Sequence, residues 1–442
     1  MRRIRKTIYS VAVLCGVLWG CAGTYSSALA SDEKPLTLKM ALELSEERNL
    51  DILSAREELV RAKGKIVEAD AEGLPTFNAG ASYTRREAGK EDILEEDVYS
   101  AGVTLTQPLY KGGQIRAGKR QASYGLLQAE NFYKETREQI ALDVYNRFYA
   151  VLLEKENVAT AEDALAFAEK YLEEVKKKRV LGLATGLEIT RAEKQLAENR
   201  SALIRATNNL KTAHLDLFEL LNLAPDAPYM VQGKIAYVPI DGGDLALSLA
   251  KALELRPELL RAKNLVKERE QSVEIAKSGL RPSVSVSGSY RYDDPNQTGY
   301  DKKDTWLARL NVDIPIIDSG ATHGRVVQQT ALLEQAKRGV EKKEEAIRTE
   351  VQSVYLDLDT AAQVLKEAKV NLDLAKETLR LAEVGYREGV GIQLDVLNAR
   401  ASLTQAMQEH SAALRNYAYT IVRLKKAEGN LVDEPVLSSI EE

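Results

Sequence analysis

The chain has 442 residues, of which 29% are charged and only 6% aromatic, and its formal net charge is −5. This balance favours long solvated helices over a dense globular core, and the acidic charge excludes a polybasic surface for nucleic acid. The three histidines and two cysteines lack metal-ligand spacing, so the sequence predicts no metal site and no cofactor. The sequence contains no Ser/His/Asp or Cys/His constellation that would indicate an enzyme.

The first 30 residues have the layout of a secretory signal peptide. A basic start is followed by an apolar run, and Ala28-Leu29-Ala30 provides the small residues that signal peptidase needs. The alternative is lipidation of Cys21, although Trp19 stands where a lipobox usually has a small residue. Beyond residue 30 no stretch of about 18 apolar residues predicts a transmembrane helix. The chain is therefore expected to be exported without a helical anchor.

The rest of the chain is one unit written twice. Pro75 matches Pro282, Pro108 matches Pro315, and Gly182 matches Gly389, each pair 207 positions apart. A repeat this long indicates a duplicated domain and not a short-period solenoid. The predicted segments are a first repeat, an irregular linker, a second repeat and a loose polar tail, at 31–222, 223–244, 245–429 and 430–442.

Each repeat shows the same order of periodicities. A helical segment, at about 36–73 and 245–280, leads into two alternating strands that end at prolines, then a long helix and a return helix. The strands are predicted at 76–85, 98–107, 283–291 and 305–314. The long helices are predicted at 113–180 and 320–386, and the return helices at 187–222 and 393–428.

The long helices carry seven-residue apolar repeats, which require a partner helix to bury the seam. These are Val144, Val151, Val158, Leu165 and Leu172, and again Val351, Leu358, Leu365, Leu372 and Leu379. A helix over 113–180 would be about 100 Å long, more than a compact domain of this size can hold.

The strands alternate between apolar and small polar side chains. This pattern is typical of a transmembrane barrel with lipid outside and water inside. The predicted lipid-facing residues are Phe77, Tyr83, Val103, Val284, Val286, Tyr290, Trp306 and Leu310. Four strands cannot close a barrel, and an open edge in lipid leaves backbone groups unpaired, so several chains would have to contribute. The alternative is a soluble four-stranded sheet packed under a helix.

This order of elements resembles the TolC-type outer-membrane efflux proteins over nearly the whole mature chain. The motifs that carry the resemblance are Leu36-Thr-Leu-x-x-Ala41-Leu with Asn49, Gln107-Pro108-Leu109-Tyr110-x-Gly112-Gly113, Tyr386-Arg-Glu-Gly389, and Leu394-Asp395-Val396-Leu397-x-Ala399.

The resemblance implies a mainly helical homotrimer in the outer membrane of a Gram-negative cell. Its twelve-stranded β-barrel would continue as a twelve-helix tube into the periplasm. The implied partners are outer-membrane lipid, a periplasmic adaptor and, indirectly, an inner-membrane pump of the RND, ABC or MFS type. The implied function is a passive exit duct for efflux or type I secretion.

The turns between long and return helices are rich in glycine, as helix reversals require. By resemblance they dock the adaptor, through Gly182, Leu183, Gly186, Gly389, Val390 and Gly391. By resemblance also, Asp395 forms a ring of carboxylates at a periplasmic constriction, with Asn398 where the family has a second acid. Tyr386 is expected to hydrogen-bond Glu188 and hold the tip closed. Without the resemblance, Asp395 is equally well explained as an acid at a helix N-terminus.

One rival function is a periplasmic coiled-coil adaptor without a pore. Such an adaptor would have one helical hairpin with β-structured flanks. This sequence instead predicts two matching hairpins and strands with the alternation of a transmembrane barrel. The cargo is not readable from the sequence, because a water-filled tube has no specific pocket.

Overall fold

Two similar units follow one another along the chain in the structure, a computed structural model that describes residues 34–86, 96–239, 244–295 and 303–433. The predicted signal peptide and Cys21 lie outside the described residues. The first unit contains β1 (Lys34–Leu36), α1 (Leu38–Arg48), α2 (Leu50–Ala71), β2 (Thr76–Arg86), β3 (Glu96–Lys111), α3 (Gln114–Val180) and α4 (Gly186–Leu220). After β4 (Tyr229–Val231), the second contains α5 (Leu245–Leu255), α6 (Pro257–Lys277), β5 (Ser283–Pro295), β6 (Lys303–Asp313), α7 (Ala321–Arg387) and α8 (Gln393–Glu428).

The helical segment predicted at the start of each unit consists of two helices with a break between them. The first breaks at Asn49, between α1 and α2, and the second at Arg256, between α5 and α6. Both residues have extended ψ angles, 129° and 121°, and occupy equivalent positions because 256 − 49 = 207. Asn49 caps α2 with its side chain, and Pro257 begins α6, so each break has a local cause.

The four long strands form one antiparallel sheet in the order β2-β3-β5-β6. The prediction that Pro108 ends the second strand is wrong, because β3 continues to Lys111. The register shifts between Pro108 and Tyr110, and this irregularity accommodates a residue that has no N–H to donate. In the second unit the strand does end before Pro315, at Asp313.

The helices form a single layer. On the strand side, α2 contacts α3, α3 contacts α6, and α6 contacts α7; on the other side, α3 contacts α4 and α8, and α7 contacts α8. Helices α3 and α7 each have 67 residues, or about 100 Å, so both run through the whole layer. In the described part of the chain, no helix combines the length and the apolar character that a bilayer span requires.

Two hydrophobic cores lie where the short helices meet the long ones. The first surrounds Val144, Tyr145 and Phe148 of α3, and the second surrounds Val351 and Leu358 of α7. Seven of the ten predicted heptad residues of the two long helices are buried, as expected for helices with partners, whereas Val158, Leu165 and Leu372 are half-buried.

The expected linker and tail are both more ordered than predicted. In the linker, β4 pairs in parallel with β1, and Leu36 lies opposite Val231. In the tail, Leu431 is only 1% exposed and belongs to the first core. The expectation of a loose segment from residue 430 is thus wrong for 430–433, because an apolar side chain follows the helix end and is buried; residues 434–442 lie outside the described part.

Candidate functional site

Two helix reversals form the end of the molecule opposite the sheet. Gly182 and Gly389 both have φ of +76°, a left-handed conformation that ends α3 and α7. Helix α4 then begins with a capping box, in which the Thr185 hydroxyl accepts from the Glu188 N–H, and the Glu188 carboxylate accepts from the Thr185 N–H at 2.5 Å. Helix α8 begins similarly, since Asp395 accepts from the Ile392 N–H at 3.3 Å.

Large apolar side chains project into solvent at both reversals. Val390 is 88% exposed, and the others in this set are Val180, Leu181, Leu183, Leu187, Ile392 and Leu394. Exposed apolar residues at a helix tip have no role in the protomer's own core. The residues predicted at the turns, Gly182, Leu183, Gly186, Gly389, Val390 and Gly391, thus lie next to an apolar surface.

Asp395 and Asn398 share the exposed face of α8, one turn apart, while Val396 and Ala399 face the interior. The arrangement follows from the helical period, because residues three apart point in similar directions. A carboxylate and an amide therefore project together from the same side of the tip.

The expected hydrogen bond between Tyr386 and Glu188 is not formed within the chain. The Glu188 carboxylate is held by Thr185, whose backbone N–H and hydroxyl lower the pKa of Glu188. Tyr386 instead lies against α3, with its ring centroid 6.4 Å from that of Tyr171 and 4.0 Å from the Lys178 ammonium. The Glu188 carboxylate, which was the predicted acceptor for the Tyr386 hydroxyl, instead accepts from Thr185 as part of the cap of α4.

Gln393 and Arg400 connect the two hairpins, and sequence reasoning missed both. Buried Gln393 donates from its amide to the Glu188 backbone oxygen at 3.1 Å. Arg400 pairs with Asp163 at 2.5 Å and lies over the Phe167 ring at 4.9 Å. Their positions in α8 gave no signal, because the partners belong to the other repeat. Burial also raises the pKa of Tyr171, which lies in this contact.

The sheet at the other end places all the predicted lipid-facing residues on one face. In the register, Ala79 lies opposite Val103, Val103 opposite Tyr290, and Tyr290 opposite Trp306. Phe77, Tyr83, Val284, Val286 and Leu310 lie at even spacings along the same strands, and therefore on the same side. Trp306 is 77% exposed, so within one chain no helix covers this face. The alternative of a sheet packed under a helix is wrong.

Nothing among the described residues offers a metal-binding group of three or more His, Cys, Asp or Glu side chains. At the tip, the available groups are a carboxylate and an amide beside it. At the sheet, one face is apolar and the other carries hydroxyl groups.

The comparisons with known proteins agree with this architecture. A family model described as outer membrane efflux protein matches residues 41–223 and 248–430. The two matches start 248 − 41 = 207 residues apart, the offset between the repeats. Outer membrane protein TolC of Vibrio cholerae serotype O1 is 22% identical over 423 residues, which cover 94% of each chain.

Two solved structures share the fold. The crystal structure of CusC superposes with a TM-score of 0.79 at 17% identity, covering 89% of this chain and 92% of CusC. The CmeC outer membrane channel of Campylobacter jejuni gives a TM-score of 0.79 at 18% identity, covering 89% and 85%. The predicted fold class is confirmed, and none of these matches supports the adaptor without a pore. With both repeats matched, the chain belongs to the outer membrane efflux protein family and acts as an efflux channel of the outer membrane.

Proposed function

We propose that three copies of this chain close into one duct, a twelve-stranded barrel in the outer membrane continued by a twelve-helix tube in the periplasm. The sheet supports this, because β2 and β6 are its outermost strands and each is paired on one side only in the described chain. An unpaired edge is not stable in lipid, and four strands are too few to close a barrel. Three chains contribute 3 × 4 = 12 strands.

The edges of the helical layer support the same assembly. Helix α7 lies at one edge and exposes Leu356, Leu374 and Leu381. Helices α2 and α4 lie at the other edge and expose Val67 and Ile204. Apolar side chains at both edges of a layer are the expected surfaces for contact between copies.

The tips form the closed end of the duct in this proposal. Three copies of Asp395 and Asn398 surround the axis, and a ring of carboxylates attracts cations. Tyr386 and Glu188 act as positioning residues, one packed against Lys178 and the other capping α4. The apolar turns around Leu183 and Val390 receive the hairpins of a periplasmic adaptor. A pump of the RND, ABC or MFS type provides the work, so that solutes pass without a catalytic step.

The single observation that carries the proposal is the sheet with one apolar and one hydroxyl-bearing face and two unpaired edges. It is tested by adding the purified protein to planar lipid bilayers and recording single channels. We expect uniform conductance steps for the wild type, and for Asp395→Ala a changed conductance with weaker block by divalent cations.

The matched control is Glu388→Gln, which removes an exposed acid from the end of α7, next to the turn. We expect this variant to retain the block of the wild type. Unchanged currents and unchanged block in Asp395→Ala would contradict a constriction at that residue, and the absence of any conductance from the wild type would contradict the duct.

A further inference from the structure

Arg309 lies on the polar face of the sheet, as does Arg291 farther along β5. The register aligns Thr76 with Thr106, Thr106 with Ser287, and Ser287 with Arg309. This row lies on the face opposite the apolar one, because its members alternate with Phe77, Leu105, Val286 and Leu310 along the strands. Arg309 is exposed, so its guanidinium projects from a row of short hydroxyl side chains.

The neighbouring rows on this face carry no charge. One consists of Asn78, Thr104, Ser289 and Leu307, and the other of Pro108, Ser285 and Asn311. The nearest acid along β6 on the same face is Asp313, four residues or about 13 Å away. Asp293 is engaged by Arg291, at 3.6 Å. Within the described ranges, neither an ion pair nor a hydrogen bond occupies the Arg309 guanidinium.

Closure of the barrel, on which this inference rests, would place the β2 strand of the next copy beside β6. The polar face of β2 presents Thr76, Asn78, Gly80, Ser82 and Thr84. None of these is an acid, so Arg309 meets no carboxylate on them whichever register the closing strands adopt. The arginine therefore stays without a counterion from either side of the seam.

The first repeat has no equivalent cation. The matching position is Gly102, since 309 − 207 = 102, and a Cβ there would lie 2.8 Å from the backbone oxygen of Tyr290. This close approach of two strands excludes a side chain. Among the described side chains of the sheet, Arg309 is the guanidinium without a counterion on this face, and a closed barrel holds three copies of it at one level.

We propose that Arg309 forms an anion-binding belt in the barrel lumen, which takes the carboxylate, phosphate or sulfate groups of passing solutes. Rings of Arg or Lys favour anions in pores, and guanidinium is suited to planar oxyanions. The belt is opposite in sign to the acid at the tip. An anionic solute that has passed the acidic tip therefore meets an attractive site in the barrel, on the side where the sheet joins the helices.

The expected size of the effect follows from Coulomb's law. A unit charge about 10 Å from an ion in water changes the local ion concentration by a factor of about two, and screening at 0.1 M salt reduces this. Three charges at one level should shift the ratio of cation to anion permeability by about two- to threefold.

The test is the reversal potential of single channels in a potassium chloride gradient. We expect Arg309→Gln to raise the permeability ratio of potassium to chloride by about two- to threefold, and Arg309→Lys to keep the wild-type value. Asn311→Ser, two residues along the same face, is the control for a change in lumen width and should leave the ratio unchanged. Asn311→Asp places a carboxylate beside Arg309 and should reproduce the shift without replacing the arginine.

An unchanged ratio in both Arg309→Gln and Asn311→Asp channels would overturn the anion-binding belt while leaving the duct intact. The same holds if Arg309→Lys behaves like Arg309→Gln, because the charge would then have no role. If the wild type itself does not conduct, the proposed duct fails first, and the belt fails with it.

Discussion

The two repeats break their first helix at the same position by different chemistry. In the first repeat, Asn49 is 5% exposed; its side-chain oxygen accepts from the N–H groups of Asp51 and Ile52, and its amide donates to the Leu220 oxygen at 2.9 Å. In the second, Arg256 is 3% exposed and pairs with Glu258 at 2.6 Å and Glu350 at 2.7 Å. A neutral cap and a buried ion pair network thus produce the same bend.

The difference extends to the end of each repeat. Asn222 and Gly429 are equivalent and both left-handed, with φ of 51° and +82°. A Cβ at Gly429 would lie 3.0 Å from the Arg256 backbone nitrogen, whereas Asn222 donates to the Arg48 oxygen at 3.3 Å. The duplication therefore preserved the backbone path while each copy acquired its own dependence, on hydrogen bonds or on charge.

The largest expected effect is that of Arg256→Ala. The substitution leaves the largely buried Glu258 and the partly exposed Glu350 without the buried guanidinium that lies between them. Removing one partner of a buried ion pair costs about 3–5 kcal/mol of unfolding free energy. Denaturant titration followed by circular dichroism measures this loss, and a cost below about 1 kcal/mol would show that the network does not hold the second bend.

Gly429→Ala should cost about 2 kcal/mol, because alanine is strained at positive φ and its Cβ would press on Arg256. The matched variant is Asn222→Ala. Asparagine tolerates the left-handed conformation better than alanine does, and its side chain also bonds the Arg48 oxygen, so this substitution should cost about 1 kcal/mol of unfolding free energy. The same titration compares the two. Equal costs would contradict the claim that the second repeat alone requires glycine there.

Glu138 connects the two repeats electrostatically, because it lies in the first repeat but close to charged residues of the second. Burial and the neighbouring Glu258 raise the pKa of Glu138 to about 7. The folded protein therefore keeps this proton between about pH 4.5 and 7, whereas the unfolded chain loses it, so the group's contribution to stability falls as pH rises through this window.

Glu138→Gln should consequently stabilise the protein above pH 7, on the order of 2 kcal/mol, and make little difference below pH 4.5. Unfolding free energies of the variant and the wild type at pH 4 and pH 8 provide the check. A stabilisation that is the same at both pH values would contradict this origin.

Asn49→Ala should cost much less than Arg256→Ala, about 1–2 kcal/mol, since a lost N-cap leaves backbone groups unpaired but no buried charge. Asn49→Ser is a control that retains a neutral capping oxygen and loses the bond to Leu220. A loss for Asn49→Ala as large as that for Arg256→Ala would contradict the contrast between the two repeats.

The sequence predicted the features that repeat along the chain, and it did not predict contacts between residues that are far apart in the chain. The offset of 207 and the alternation of Val284, Val286 and Tyr290 identified the duplication and the apolar face of the sheet. The breaks at Asn49 and Arg256 were missed although both have local signals, an N-cap residue at 49 and a proline at 257. The buried Leu431 and the bond from Gln393 to Glu188 were missed because each depends on a partner far along the chain.

The claim on which the account depends is that β2 of one copy pairs with β6 of the next. Within a chain these strands are three spacings apart, about 14 Å, beyond the reach of about 7 Å between the Cα atoms of a disulfide. The measurement is oxidation of membranes carrying Asn78→Cys together with Leu307→Cys, Arg309→Cys or Asn311→Cys, which samples the possible registers, with each single variant as control. The account predicts that at least one pair gives a covalent product of three chains and no larger product; a ladder beyond three chains, or no product from any pair, would contradict it.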